Sequence, residues 1–82
     1  MKANRRFELK VTRSGASPAL LADPGRIDHV EVVDLFTNEV ELYWDLVPSD
    51  ASRLARRLRQ EMVALEADEF IDRWRAAPQE PE

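Results

Sequence analysis

From Arg5 to Arg13 the chain alternates, with Phe7, Leu9 and Val11 on one side and Arg6, Glu8, Lys10 and Thr12 on the other. A period of two predicts a strand with one buried and one wet face. Residues 14–28 hold both glycines and two of the five prolines, so they read as a long connection. A turn is expected at Asp23-Pro24-Gly25 and a short helical turn at Ala19-Leu20-Leu21. Residues 29–36, HVEVVDLF, and 40–47, VELYWDLV, are rich in β-branched and aromatic residues and predict a hairpin. Its turn is Thr37-Asn38-Glu39, where Asn38 best tolerates a positive φ. In the second strand Val40, Leu42, Trp44 and Leu46 share one face, and Glu41, Tyr43 and Asp45 share the other. In the first, Val30 and Val32 oppose Val33 and Leu35, and a β-bulge near Val32-Val33 would bring all four to the buried side.

After Pro48 the pattern changes period. Ser49 or Asp50 is placed to cap a helix, and from Ala51 to Ala77 there is neither glycine nor proline. A continuous helix there would be about 40 Å long. Ala51, Leu54, Ala55, Leu58, Met62 and Leu65 form a stripe that covers the sheet. Val63, Ala67, Phe70 and Trp74 form a second stripe more than about 100° away, flanked by Ile71, and one sheet cannot bury both stripes of a straight helix. Three readings follow. In one, the helix breaks near Glu66-Ala67-Asp68 and Asp68 caps a second helix that turns back onto the core. In another, the helix runs on and its distal stripe binds a second copy or another protein. In a third, Trp74 and Phe70 line a small-molecule pocket, for which no converging polar group is visible.

These elements predict an α+β domain over residues 1–77, followed by a frayed tail at residues 78–82. A three-stranded, mainly antiparallel sheet of β-loop-β-hairpin order is covered on one face by a long C-terminal helix that is intact or broken near Ala67. Three strands and a helix are close to the minimum for independent stability. A chain of 82 residues buries roughly 60% of its unfolded surface.

Charge adds an asymmetry. Residues 1–13 carry five basic residues against Glu8, residues 23–50 carry eight acidic ones against Arg26, and the net charge is −4. An acidic middle argues against a nucleic acid lying across the molecule. Arg53, Arg56, Arg57 and Arg59 crowd the start of the helix, where the helix dipole disfavours cations, and acids gather later. Pairs such as Arg57 with Glu61 and Glu69 with Arg73 offset part of this. The remaining charge points outward, to the acidic hairpin of the same chain or to an acidic partner. Arg53, Arg56 and Arg57 are therefore candidate anion contacts. They could join Lys2, Arg5, Arg6, Lys10 and Arg13 in a basic edge if the first strand lies beside the helix N-terminus, although the basic face of that strand can instead pair across strands with Glu41 and Asp45, which is the favoured reading.

Little in the sequence suggests catalysis. There is no cysteine, which excludes disulfides, thiol nucleophiles and cysteine-ligated metals. His29 is the only histidine, the serines lie in no nucleophile motif, and Gly15 and Gly25 follow no phosphate-loop spacing. Carboxylates alternating along a strand read as a solvated face, so no cofactor, metal or small-molecule ligand is expected. No apolar run is long enough for a membrane span, and a soluble, cytoplasmic protein is expected.

The hairpin ELYWDLVPSDA, preceded by HVEVVDLF and followed by a helix ending in DRWR, resembles the small accessory subunits of multicomponent phenol hydroxylases. That resemblance covers about half the chain and implies a non-enzymatic assembly role beside an oxygenase. The loop at 14–28 and the arginine-rich helix depart from it, and it assigns no residue. The functional expectation is a non-catalytic interaction or accessory module. It would bind a protein partner or a second copy through Val63, Ala67, Phe70, Ile71 and Trp74, and the alternative is an anion or nucleic-acid binder built on the arginines.

Overall fold

A computed structural model describes residues 1–13 and 27–76. The turns expected within residues 14–26 and the tail at 78–82 lie outside the described residues. In chain order the elements are α1 (Ala3–Arg6), β1 (Phe7–Arg13), β2 (Asp28–Asp34), β3 (Glu39–Leu46), α2 (Pro48–Ala64) and α3 (Ala67–Ala76). The strands form one antiparallel sheet in the order β1-β2-β3. The fold is the small α+β arrangement that the alternating strands and the C-terminal helix predict.

The irregularity in the hairpin falls where expected, but on the other strand. β1 and β2 pair without interruption from Phe7 opposite Asp34 to Arg13 opposite Asp28. The β2–β3 register shifts between Val32, opposite Leu42, and Val33, opposite Val40, which leaves Glu41 as the extra residue. The bulge thus resets β3. Val40 moves off the face of Leu42, Trp44 and Leu46 and is exposed, and Glu41 pairs with Arg75 of α3 instead of standing beside Tyr43. Because β2 keeps its alternation, Val33 lies between Glu8 and Val40 on the face opposite Val32, and Leu35 is exposed in the turn. Asn38 takes the positive φ, 62°. The sheet order also corrects the expected charge pairing. β1 is two strands from Glu41 and Asp45, and Lys10 stands opposite Glu31.

The helix is not continuous. α2 begins at Pro48, with Val47 as an N-cap that makes no side-chain bond, so Ser49 and Asp50 lie inside the first turn rather than capping it. Proline at the first helical position presets φ and has no N–H to satisfy. At the other end Leu65 is extended, with φ −103° and ψ 153°. The chain then re-enters helix at Ala67, with Asp68 in the first turn rather than at the cap. A break exposes backbone groups that would otherwise bond along the helix, and the N-terminus fills them. The Ala3 N–H donates to the Leu65 carbonyl at 3.0 Å, and the Ala67 N–H donates to the Met1 carbonyl at 2.9 Å. Lys2 Nζ reaches the Ala64 carbonyl at 3.1 Å.

This break resolves the conflict between the two stripes. α3 turns back, so Ala67, Phe70, Ile71 and Trp74 join Val30, Val32, Leu42, Trp44, Leu58 and Met62 in one core that includes Ala3 and Phe7. The outward stripe expected to bind a partner is therefore not a surface. Phe70 is 0% exposed, and of that set only Val63 faces solvent, at 59%. Each such aromatic contributes on the order of 1.5–3 kcal/mol when buried, which favours the bend over a straight helix. Phe7 against Phe70 at 5.8 Å and Trp44 against Trp74 at 5.7 Å fix α3 to the sheet.

Candidate functional site

Ala51, Ala55, Leu58 and Met62 point α2 down at the sheet, which leaves two flanks of the helix facing the two sides of the molecule. Asp50, Arg53, Leu54 and Arg57, at helical spacings of three and four, face β3, while Ser52, Arg56, Arg59 and Gln60 face β1. Each flank walls a groove.

The groove on the β3 side measures about 320 Å³ and is floored by Trp44, Leu46 and Leu54, with Trp74 closing its far end. The two indoles meet edge to face at 83°. Glu61 organises the polar side. One carboxylate oxygen accepts from Trp74 Nε1 at 3.0 Å, and the other accepts from Arg57 Nε at 3.1 Å. The Arg57 guanidinium lies 5.3 Å from the Trp74 ring centre, a cation–π geometry that holds the charge over the groove. Arg73 approaches Glu61 at 3.7 Å rather than pairing with Glu69. One acid thus joins α2 to α3 and sets the two arginines and the indole in fixed relation.

On the β1 side the groove measures about 500 Å³. Arg13 from the end of β1 lines it together with Arg56 and Arg59 of α2, and Ser52, Gln60, Val11 and Ala55 complete the lining. None of the three arginines has an ion pair among the described residues.

The sheet's outer face carries a third cluster. His29 Nδ1 lies 2.5 Å from Asp45 Oδ1 and 2.8 Å from the Tyr43 hydroxyl, across the β2–β3 pairing that sets His29 opposite Asp45. Hydrogen bonds from His29 and then Tyr43 hold the Asp45 carboxyl below the usual carboxylate range, and the bond to Asp45 pushes the Tyr43 phenol up. A carboxylate-oriented imidazole is a known general-base arrangement, but this one stands on the opposite face of the sheet from both grooves.

Arg6, one of the candidate nucleic-acid contacts, serves the fold. Its Nη2 is 3.1 Å from Asp34 Oδ2, and its guanidinium lies 5.2 Å from the Phe36 ring centre. Burial works to raise the Asp34 carboxyl, but the N–H groups of Phe36 and Thr37 and the Arg6 guanidinium outweigh it and hold the carboxyl below its usual range. Arg57 is likewise paired, whereas Arg53 and Arg56 remain without an ion pair among the described residues. The helix arginines are therefore split between two grooves, and the acidic hairpin neutralises neither flank. Sequence reasoning did place Arg13 with the helix arginines in the event that β1 lay beside α2, as it does. It missed the convergence of Arg53 and Arg57 on the tryptophans, for which spacings of three and four between Asp50 and Arg57 were the available signal.

Among the described residues no group of three metal-ligating side chains converges, and no helix is long and apolar enough to cross a membrane. No family model, curated protein or solved structure matches this chain.

Proposed function

We propose that this protein is a non-catalytic binding module, an accessory or assembly subunit, that docks an acidic segment of a protein partner in the groove between β3 and α2. The observation that carries this reading is the convergence of Arg53 and Arg57, against the single acid Asp50, on an apolar floor of Trp44, Leu46 and Leu54. A segment with an aliphatic side chain flanked by carboxylates matches both features, the side chain entering the apolar floor and the carboxylates meeting the guanidinium groups. Nucleic acid fits less well. Trp44 and Trp74 are only 6% and 8% exposed and offer no free ring face to a base, and a net charge of −4 repels a phosphate backbone. An accessory role of the phenol-hydroxylase kind would be one instance of such a module.

Both tryptophans of the chain line this groove, so intrinsic fluorescence reports on it directly. A short peptide alternating leucine and glutamate should shift the emission saturably, and Arg53→Glu should abolish the shift. A peptide alternating leucine and lysine that binds equally well would refute the reading. Light scattering separates the remaining occupant: a dimer that Arg53→Glu dissolves would assign the groove to a second copy.

A further inference from the structure

We propose that the groove between β1 and α2 is an oxyanion site that takes the phosphate group of a small soluble molecule, held by Arg13, Arg56 and Arg59. The cations this fold uses structurally are matched at short range: Arg6 with Asp34 at 3.1 Å, Arg57 with Glu61 at 3.1 Å and Lys2 with Glu66 at 3.3 Å. Arg13, Arg56 and Arg59 instead converge on one groove that no acid lines among the described residues. Arg56 and Arg59 are three apart on α2, so their like charges repel and their placement costs folding stability. A ligand that supplies the missing negative charge removes that cost when it binds.

The geometry selects the class of ligand. Guanidinium groups present parallel N–H donors that fit the oxygens of a phosphate, and Ser52 and Gln60 add neutral donors on the same wall. A lone carboxylate would leave most of the charge of three arginines unmatched, whereas a phosphate monoester carries about −1.5 to −2 at neutral pH. At about 500 Å³ the groove is the size of a small-ligand site. A polymer of phosphates is disfavoured by the net charge of −4.

Isothermal titration calorimetry with inorganic pyrophosphate tests this, with thermal unfolding as a second readout. Saturable binding at one site per chain is expected, together with a melting temperature that rises with ligand concentration. Arg56→Ala and Arg59→Ala should each weaken binding by about ten-fold or more, since each removes a charge-assisted hydrogen bond. Arg59→Lys, which keeps the charge but loses the fork, should weaken it less. Arg53→Ala, on the other flank, should leave pyrophosphate binding unchanged while it weakens the peptide at the β3 groove, so that either site can fail alone. Non-saturating heats, binding that survives the Arg56→Ala/Arg59→Ala double variant, or an equal loss in Arg53→Ala would overturn the proposal. So would retention on phosphatidic acid vesicles without any binding of free pyrophosphate.

Discussion

The two flanks of α2 carry the same residue type to opposite effect. On the β3 flank Arg57 is fixed between Glu61 and the Trp74 ring, and α3 closes the groove behind it. On the β1 flank Arg13, Arg56 and Arg59 line a groove whose lining holds no acid among the described residues. What distinguishes the flanks is the direction in which α3 turns after the break at Leu65. It brings Trp74 against Trp44 and Arg75 against Glu41, both on β3. Arginine on this helix thus becomes a structural or a free charge according to whether an acid follows it four residues on and a neighbouring element lays a ring against it, as Glu61 and Trp74 do for Arg57.

The strongest way to break this comparison is to remove what holds α3 in place. Phe70 is fully buried between Phe7 and Trp74. Phe70→Ala should destabilise the protein by about 3–5 kcal/mol, as large-to-small changes in a packed core do, measured by urea denaturation. A small loss with unchanged tryptophan fluorescence would mean that α3 is not part of the cooperative core. On a chain this short such a loss takes up much of the total stability, so the variant should be studied at low temperature.

A milder change targets the polar side alone. Glu61→Ala leaves the Trp74 indole N–H without its carboxylate and releases Arg57 and Arg73. The expected cost is about 1–3 kcal/mol, that of an unsatisfied and partly buried donor. The change also converts the β3 flank toward the state of the β1 flank, so tryptophan emission should move and become sensitive to added salt. Unchanged emission would show that Glu61 does not position the groove.

The break between α2 and α3 was legible in the sequence as a contradiction, since Val63, Ala67, Phe70 and Trp74 cannot share a straight helix face with Leu54, Leu58 and Met62. Which way the contradiction resolves was not legible, because it depends on Met1, Lys2 and Ala3 supplying hydrogen bonds to Leu65, Ala67 and Ala64. Those contacts are remote in sequence, and α1, with four residues, is too short to show a helical period. The bulge was legible by position but not by strand. Alternation within β2 cannot say which partner carries the extra residue, and the pairing of Val33 with Val40 assigns it to β3. Of the candidate site, the arginine crowding was visible, whereas its division into two grooves required knowing which face α2 lays on the sheet.

Acid distinguishes the fixed charges from the free ones. Burial is outweighed at Asp34 by the Phe36 N–H and Arg6, His29 holds Asp45 down, and the Met1 amine followed by Lys2 holds Glu66 down. In each case the folded pKa lies below the unfolded value of about 4. Their contribution is therefore complete above that value and is lost as pH falls through the folded pKa. The urea midpoint should hold steady down to about pH 5 and then decline, and Asp34→Asn should flatten the decline. At the alkaline end Tyr43 is the only tyrosine, so its phenolate absorbance is unambiguous. It should ionise above the usual value of about 10, and Asp45→Asn should bring it back down. No carboxylate lines the β1 groove among the described residues, so this titration should leave the charge of that groove unchanged.

The smallest expected effect is the most discriminating. If the arginines of the β1 flank served folding as Arg57 does, Arg59→Ala would cost stability in proportion to the contacts it loses. Arg59 has no ion pair among the described residues, and it stands three residues from the like charge of Arg56 on the same helix. Its removal relieves repulsion, and the expected change is a gain of a few tenths of a kcal/mol, with the urea midpoint unchanged or slightly raised. High salt should erase the gain, because the repulsion it reflects is screened at the surface. Arg57→Ala, which breaks the bond to Glu61 and uncovers Trp74, should destabilise under the same conditions. If both variants destabilise equally, the two flanks are energetically alike and the division between fixed and free arginines fails.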